Sequence, residues 1–326
     1  MNDFDSVEEL AYLRATLATV RRHADRKGRN IDALVAAVYE AASIAARDQG
    51  PLPPVPKVTA AKGRSKHIAV LHTTDWQCGK VTADFDAGVL EQRLRQMMDI
   101  TAALTARHSN PVDHCVILFG GDMLEGITIF PGQAFEVDRG LYDQLFDVVR
   151  LLQYVVDAAL SMFKTVEVVG KHGNHGRIGK FGELPSTDNL DRMSYRIAAN
   201  RYEGSKRVKW THSEDFMQMF TIGAYKGALL HGNEFARTFS AQRIVGKLTA
   251  WQTQYEFADA YLGHFHRRDS YGLPNGGMVY LTGSPESSNA YAAEVLAARG
   301  RPSQRLHFVD PVRGMVLGEH VLWLDA

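Results

Sequence analysis

From His67 onward the apolar residues gather in short runs, each ending at a polar cluster: Ile68–Leu71, Cys115–Phe119, Val166–Val169, Ala228–Leu230, Tyr261–Leu262 and Met278–Leu281. Runs of this length bounded by turn residues predict strands of a largely buried sheet. Between them lie longer stretches with helical spacing: Val89–Arg107, Tyr142–Phe163, Leu190–Ala199 and Ala241–Tyr255. Strands that alternate with helices predict a layered α/β domain. Leu306–Phe308 and Val316–Leu324 read as further strands with shorter connections, so the sheet is expected to be mixed.

The pattern before His67 is different. Ser6 with Glu9 three residues on fits a capping box, and Leu10, Leu13, Leu17 and Val20 then form one apolar stripe. A basic turn follows (Arg21, Arg22, Arg26, Lys27, Arg29), and a second helix is expected from Ile31 through Leu34, Val35, Val38 and Ile44. Pro51, Pro53, Pro54 and Pro56 cannot sit inside a helix or a central strand, so they mark an extended linker that continues through basic Lys57, Lys62, Arg64 and Lys66. The expected organisation is a helical region at 1–50, a linker at 51–66 and the main domain at 67–326.

Composition narrows the class. Of 326 residues, 45% are apolar and 23% charged, ordinary usage for a soluble globular chain with a substantial core. Lys+Arg and Asp+Glu balance at 37 each, so any basic patch for nucleic acid must be local. Two distant cysteines, Cys78 and Cys115, argue against a disulfide framework. The acidic start shows no secretory signal, and no run of about 18 apolar residues is present. A soluble, cytoplasmic protein without membrane contact is expected.

The residues that follow the strands carry the chemistry: Thr74-Asp75-Trp76-Gln77, then Gly121-Asp122-Met123-Leu124-Glu125, Gly173-Asn174-His175-Gly176, His231-Gly232-Asn233 and Gly263-His264-Phe265-His266. In open α/β sheets functional groups converge outside the carboxyl ends of strands. Asp75 and Asp122 bring the negative charge a divalent cation needs, and one carboxylate can bridge two ions about 3.5–4 Å apart. Histidines 231, 264 and 266 offer nitrogen ligands suited to Mn, Fe or Zn, and the Asn174 amide oxygen is a neutral hard ligand. His264 and His266 share strand parity, which is expected to aim them to one side. Taken singly, an Asp after a strand is usually a cap, and a lone His is a satisfied polar residue. Trp76 reads as packing, Cys78 as a small apolar filler, and Glu125 as a cap or a contact behind the ligands.

These blocks, in this order, resemble the calcineurin-like metallophosphoesterase superfamily, whose pattern is Asp-x-His, Gly-Asp, Gly-Asn-His-Asp/Glu, a lone His, and Gly-His-x-His. The resemblance covers roughly Ile68 to Gly283 and implies a four-layer αββα sandwich carrying a small N-terminal helical appendage. It implies two divalent ions, manganese first and iron, zinc or magnesium as alternatives. One ion would take Asp75, Gln77, Asp122 and His266; the other would take Asp122 as the bridge with Asn174, His231 and His264. His175 would be the acid that protonates the leaving oxygen, after attack on phosphorus by a metal-bound hydroxide, and Lys171 and Arg177 are candidate substrate contacts. The chain departs from the pattern twice: Gln77 stands where the family has His, and Gly176 where it has Asp or Glu, with Glu125, Asp269 or His172 as candidate replacements.

Three functions stay open at this level. Val279-Tyr280-Leu281-Thr282-Gly283-Ser284-Pro285 looks like the strand and turn that follow the last block in the nuclease subunits of double-strand-break repair complexes, which implies a phosphodiesterase acting on DNA. A small-molecule phosphomonoesterase or cyclic-nucleotide phosphodiesterase uses the same core. An inert binding scaffold with a degraded site is the third. Helices near the N-terminus are expected to serve a homodimer or a partner protein, with a DNA-contacting role as the alternative.

Overall fold

The computed structural model describes residues 33, 36–47, 49–57, 66–127, 129–130, 132–179, 182–212, 215–235, 239–286 and 301–325. The capping box, first helix and basic turn expected between Ser6 and Arg29 lie outside them. The chain divides into two compact units, Met1–Gln49 and Gly50–Ala326. In the first, residues 36–47 are helical. All else described here belongs to the second.

That second unit carries eleven strands among its described residues. The first six are β1 (His67–Thr73), β2 (Val112–Phe119), β3 (Thr165–Gly170), β4 (Val208–His212), β5 (Gln218–Ile222) and β6 (Tyr225–Leu229). They are followed by β7 (Asp259–Leu262), β8 (Asp269–Gly272), β9 (Met278–Leu281), β10 (Ser303–Asp310) and β11 (Met315–Trp323). Four helices are interleaved: α1 (Ala87–Arg107), α2 (Leu141–Met162), α3 (Leu190–Ala199) and α4 (Ala241–Tyr255). One sheet has the order β11-β10-β1-β2-β3-β4 and the other β5-β6-β7-β9-β8. Strands β1 to β4 run parallel, with β10 antiparallel to β1. In the second sheet β6, β7 and β9 are parallel, flanked by antiparallel β5 and β8.

The two sheets pack face to face. Val70, Val116, Leu118 and Val169 of the first meet Phe220, Tyr261 and Tyr280 of the second. Alternation along each strand serves the outer layers too. Tyr261 faces the neighbouring sheet while Leu262 joins Ile244 and Leu248 of α4. Burying those two α4 side chains contributes roughly 1.5–3 kcal/mol each. On the first sheet's outer face, α2 packs on β2 and β3, α3 on β4 and α1 on β11. The architecture is thus αββα in four layers, and the central parallel strands β1, β2, β3 and β7 are largely buried runs covered on both faces. Helix starts are set locally: Asp86, Asn189 and Ser240 each accept a backbone N–H of the first turn of α1, α3 and α4.

Candidate metal centre

Five parallel strands end at one place. Asp75 and Gln77 follow β1, Asp122 follows β2, Asn174 and His175 follow β3, His231 follows β6, and His264 and His266 follow β7. Beyond the strands, the first two loops stay bonded to each other. Asp75 N–H donates to Gly121 O (2.9 Å), Gln77 N–H to Asp122 O (3.1 Å) and Cys78 N–H to Met123 O (3.0 Å). This extension of the sheet holds both carboxylates side by side.

Asp75, Gln77, Asp122, His264 and His266 all have left-handed backbones, with φ of 55°, 49°, 52°, 67° and 50°. Left-handed backbone is costly for residues with a Cβ and clusters at functional sites. Strand parity is therefore not what unites His264 and His266. Both lie past the end of β7, and two left-handed turns swing them into the crevice.

Donor atoms fall into two pools. Ligand atoms of Asp122, His231 and His264 all lie within 4.8 Å of one another. Beside them, His266 Nε2 sits 3.5 Å from Asp75 Oδ1 and 3.3 Å from Gln77 Nε2. His231 Nδ1 is 2.8 Å from Gly120 O, an oxygen that can only accept, so Nδ1 carries a proton and Nε2 is the nitrogen that takes a metal ion or a second proton. That nitrogen lies 3.0 Å from Asp122 Oδ2. Two acceptors in this position need a cation or a proton between them. Among the described residues, Gln77 Oε1, Asn174 Oδ1 and His231 Nε2 are buried without a hydrogen-bond partner. Buried polar atoms are rarely left so. Three such atoms at three of the candidate ligand positions fit a divalent cation centre.

Charge agrees with geometry. Burial alone would raise the Asp122 carboxyl, but the His231 and His175 imidazoles outweigh it and hold it well below the usual carboxylate range. Burial works against the charged form of His231 too, yet Asp122 pushes it up to about 9. His264 is driven down to about 3 by burial and then by His231, which keeps it in the neutral form a metal ligand requires.

A second layer of residues orients these donors, and most of it is invisible to sequence reasoning. His266 Nδ1 lies 3.4 Å from Glu286, whose other oxygen is 3.0 Å from Lys80. A carboxylate behind a ligating histidine fixes its tautomer and raises its basicity. Asp191 accepts backbone N–H groups from both the Asp122 and the Asn174 loops. Gly283-Ser284-Pro285 was legible as a turn; the structure adds that Ser284 Oγ donates to Asp75 O at 2.6 Å.

The remaining sequence candidates take these places. His175 sits half-buried with Nδ1 2.8 Å from Glu125 O and 3.4 Å from Glu125 Oε2, while Nε2 faces Asp122 at 4.0 Å. Glu125 thus backs the imidazole. Gln133 joins them, donating to Glu125 O at 2.8 Å and lying 3.4 Å from His175 Nδ1. Lys171 is 3% exposed, and its ammonium turns inward to His172 O (3.2 Å) and Glu234 (3.6 Å). Arg177, half-buried, forms a backbone bridge with Asn189. Trp76 is fully buried edge-on to Phe119 and donates to Thr73 Oγ1, a packing role. Both cysteines are buried thiols pushed up to about 12 by burial, which makes them unreactive. Asp269 pairs with Arg267. His172 is driven down to about 3 by burial and Lys171, and carries no negative charge for the place Gly176 leaves open.

No family model matches the chain. A curated relative, the SPbeta prophage-derived uncharacterized protein YonJ of Bacillus subtilis (strain 168), is 23% identical over 272 residues, 80% of this chain and 63% of that protein. The chain therefore spans less than two thirds of that relative's length. Among solved structures, wild-type Vps29 complexed with zinc from Entamoeba histolytica is 14% identical, covering 79% of this chain and 99% of that one, with a TM-score of 0.36. A conserved uncharacterized Streptococcus pneumoniae TIGR4 protein described as a predicted phosphoesterase is 13% identical over 78% of this chain and 97% of its own (TM-score 0.33). A 5'-nucleotidase from Candida albicans SC5314 is 12% identical over 81% of this chain and 53% of its own (TM-score 0.35). Among the described residues, no helix is long and apolar enough to cross a membrane.

Proposed function

We propose that the chain is a metallophosphoesterase that hydrolyses phosphodiester bonds at a two-metal centre, with DNA as the substrate. One observation carries the reading: Gln77 Oε1, Asn174 Oδ1 and His231 Nε2, buried without a hydrogen-bond partner among the described residues, gather with two buried carboxylates at the ends of five parallel strands. Asp75, Gln77, Asp122 and His266 would hold one ion; Asp122, Asn174, His231 and His264 would hold the other. Divalent cations there supply Lewis acidity toward a phosphoryl oxygen and make water acidic enough to attack at neutral pH.

The chain's own groups do the rest. Asp75 is fixed by His264 N–H (2.9 Å) and Thr74 Oγ1 (2.9 Å), and Asp122 by His175 N–H (2.7 Å), so neither carboxylate is free to swing. His175 is pushed up to about 9: burial works against its charged form, but Asp122 and Glu125 outweigh that. With Nδ1 held by Glu125, its Nε2 faces the site and is placed to deliver a proton to a leaving oxygen. Glu125 is the partner that stays when Asp122 is engaged as a ligand. Arg177, three residues after Asn174 on the same loop, is the candidate phosphate contact.

DNA as substrate rests on the Val279–Pro285 stretch and on the loop that Gln133 ties to His175. Two residues along that loop Phe135 is 93% exposed, and Phe130 is 39% exposed. Aromatic rings held open beside a hydrolytic site suit stacking on nucleobases. The test is hydrolysis with Mn²⁺ of bis-p-nitrophenyl phosphate, p-nitrophenyl phosphate and labelled single- and double-stranded DNA, with Asp122→Ala as control. Cleavage of the diester and of DNA, lost in the control, is expected. Turnover of the monoester alone would reassign the site to small phosphoesters, and no turnover with any metal would leave an inert scaffold.

A further inference from the structure

The segment that returns to the site at the start of α3 brings a buried carboxylate between two of its loops. Asp191 is fully buried, and its carboxylate accepts three backbone N–H groups: Asp122 N (2.8 Å), Met123 N (2.9 Å) and Gly173 N (2.8 Å). Two of these lie in the loop after β2, at the residue that would bridge both ions and its neighbour. The third precedes Asn174 in the loop after β3. One carboxylate thus ties two ligand-bearing loops together. Asn189 completes the clamp, donating through Nδ2 to Gly173 O (2.8 Å) and accepting Asp191 N–H on Oδ1 (2.9 Å).

Gly176 explains how this clamp reaches the site. Leu190 N–H bonds to Gly176 O at 2.7 Å, which brings the start of α3 beside Gly176. A Cβ on Gly176 would come within 2.5 Å of Asn189 Oδ1 and 2.9 Å of Asp191 N. The space a side chain at 176 would enter is therefore filled by residues 189–191.

We propose that Asp191 is the positioning residue of the metal centre: its buried carboxylate, supplied from the first turn of α3 beside Asn189, which fills the space next to Gly176, sets the spacing of the Asp122 and Asn174 loops. This role rests on the metal-centre reading above. A carboxylate suits the task because it accepts from three donors at once and donates to none. Loss of one acceptor would free the Gly121–Asp122 turn, whose left-handed backbone (φ 94° and 52°) needs outside support.

The experiment is Mn²⁺ titration by calorimetry into the chelator-stripped full chain, parent against Asp191→Asn, with Mn²⁺ electron paramagnetic resonance and thermal unfolding of the metal-free forms. The amide presents an N–H₂ to backbone donors, so at least one of the three bonds fails. The expected result is a Kd raised by about 10- to 100-fold and an altered resonance spectrum, with cooperative unfolding of the metal-free variant retained. Should Asp191→Asn fail to fold, Gly176→Ala decides, because its added methyl displaces Asn189 and Asp191 while keeping the carboxylate; weaker Mn²⁺ binding is again expected. A folded variant that binds within twofold of the parent overturns the role. A parent that binds neither Mn²⁺ nor Zn²⁺ overturns the metal reading and this role with it, a result distinct from equal binding by parent and variant.

Discussion

His175 and Gln77 have different neighbours in the centre, and their contacts ask for opposite outcomes on mutation. His175 touches Glu125, Gln133 and Asp122 but belongs to neither donor pool. His175→Ala is expected to lower turnover by about 10²- to 10⁴-fold while metal content stays near normal. Full activity would dismiss it as the acid. Gln77 presents a buried oxygen without a partner among the described residues. Gln77→His replaces a weak amide donor by an imidazole, so zinc and manganese should bind more tightly in a calorimetric titration; unchanged affinity would remove Gln77 from the ligand set. Phe135→Ala tests the substrate, with KM for single-stranded DNA expected to rise about tenfold and a smaller change for bis-p-nitrophenyl phosphate. Equal changes for both would argue against base stacking. The donors themselves were legible because the chemistry demands their residue types. Glu286 and Asp191 were not, because a carboxylate that orients a ligand has no required spacing from it in sequence.

Elements with a full apolar run were legible, and three of the four edge strands were not. The central strands β1, β2, β3, β6, β7 and β9 each begin or end within a few residues of an apolar run. Strands β4, β5 and β8 escaped, and all three are edge strands. An edge strand needs apolar residues on one face only, and β8, Asp269–Gly272, alternates half-buried and exposed positions without any run at all. Helix α4 offers an element-scale test. Its C-cap, Glu256, is left-handed at φ 56°, and its ion pair with Lys226 is largely exposed and worth little. Glu256→Gly should stabilise the fold by about 0.5–1 kcal/mol in chemical denaturation. A loss of stability would mean the side chain is anchoring something more than its own cap.

At the scale of the molecule, charge burial predicts a definite pH response of the metal-free protein. His231 and His175 are raised to about 9 and His266 to about 10, in each case because carboxylates outweigh the effect of burial. Between the unfolded value of about 6.5 and these folded values, only the folded chain holds the protons. Raising pH through that window therefore favours unfolding. His72, His172 and His264, lowered to about 3 chiefly by burial, act oppositely and destabilise the fold as pH falls below about 6.5. Thermal unfolding in chelator should peak near neutral pH and decline towards pH 9. A flat profile across that range would contradict the carboxylate–imidazole pairing described here.

The left-handed backbones at Asp75, Gln77, Asp122, His264 and His266 have one more consequence. Glycine would relax the main chain at each of them and remove a donor in the same stroke. Selection for heat resistance alone would therefore pull this crevice towards glycine, and a library screened only for survival at high temperature should lose its chemistry before it loses its shape.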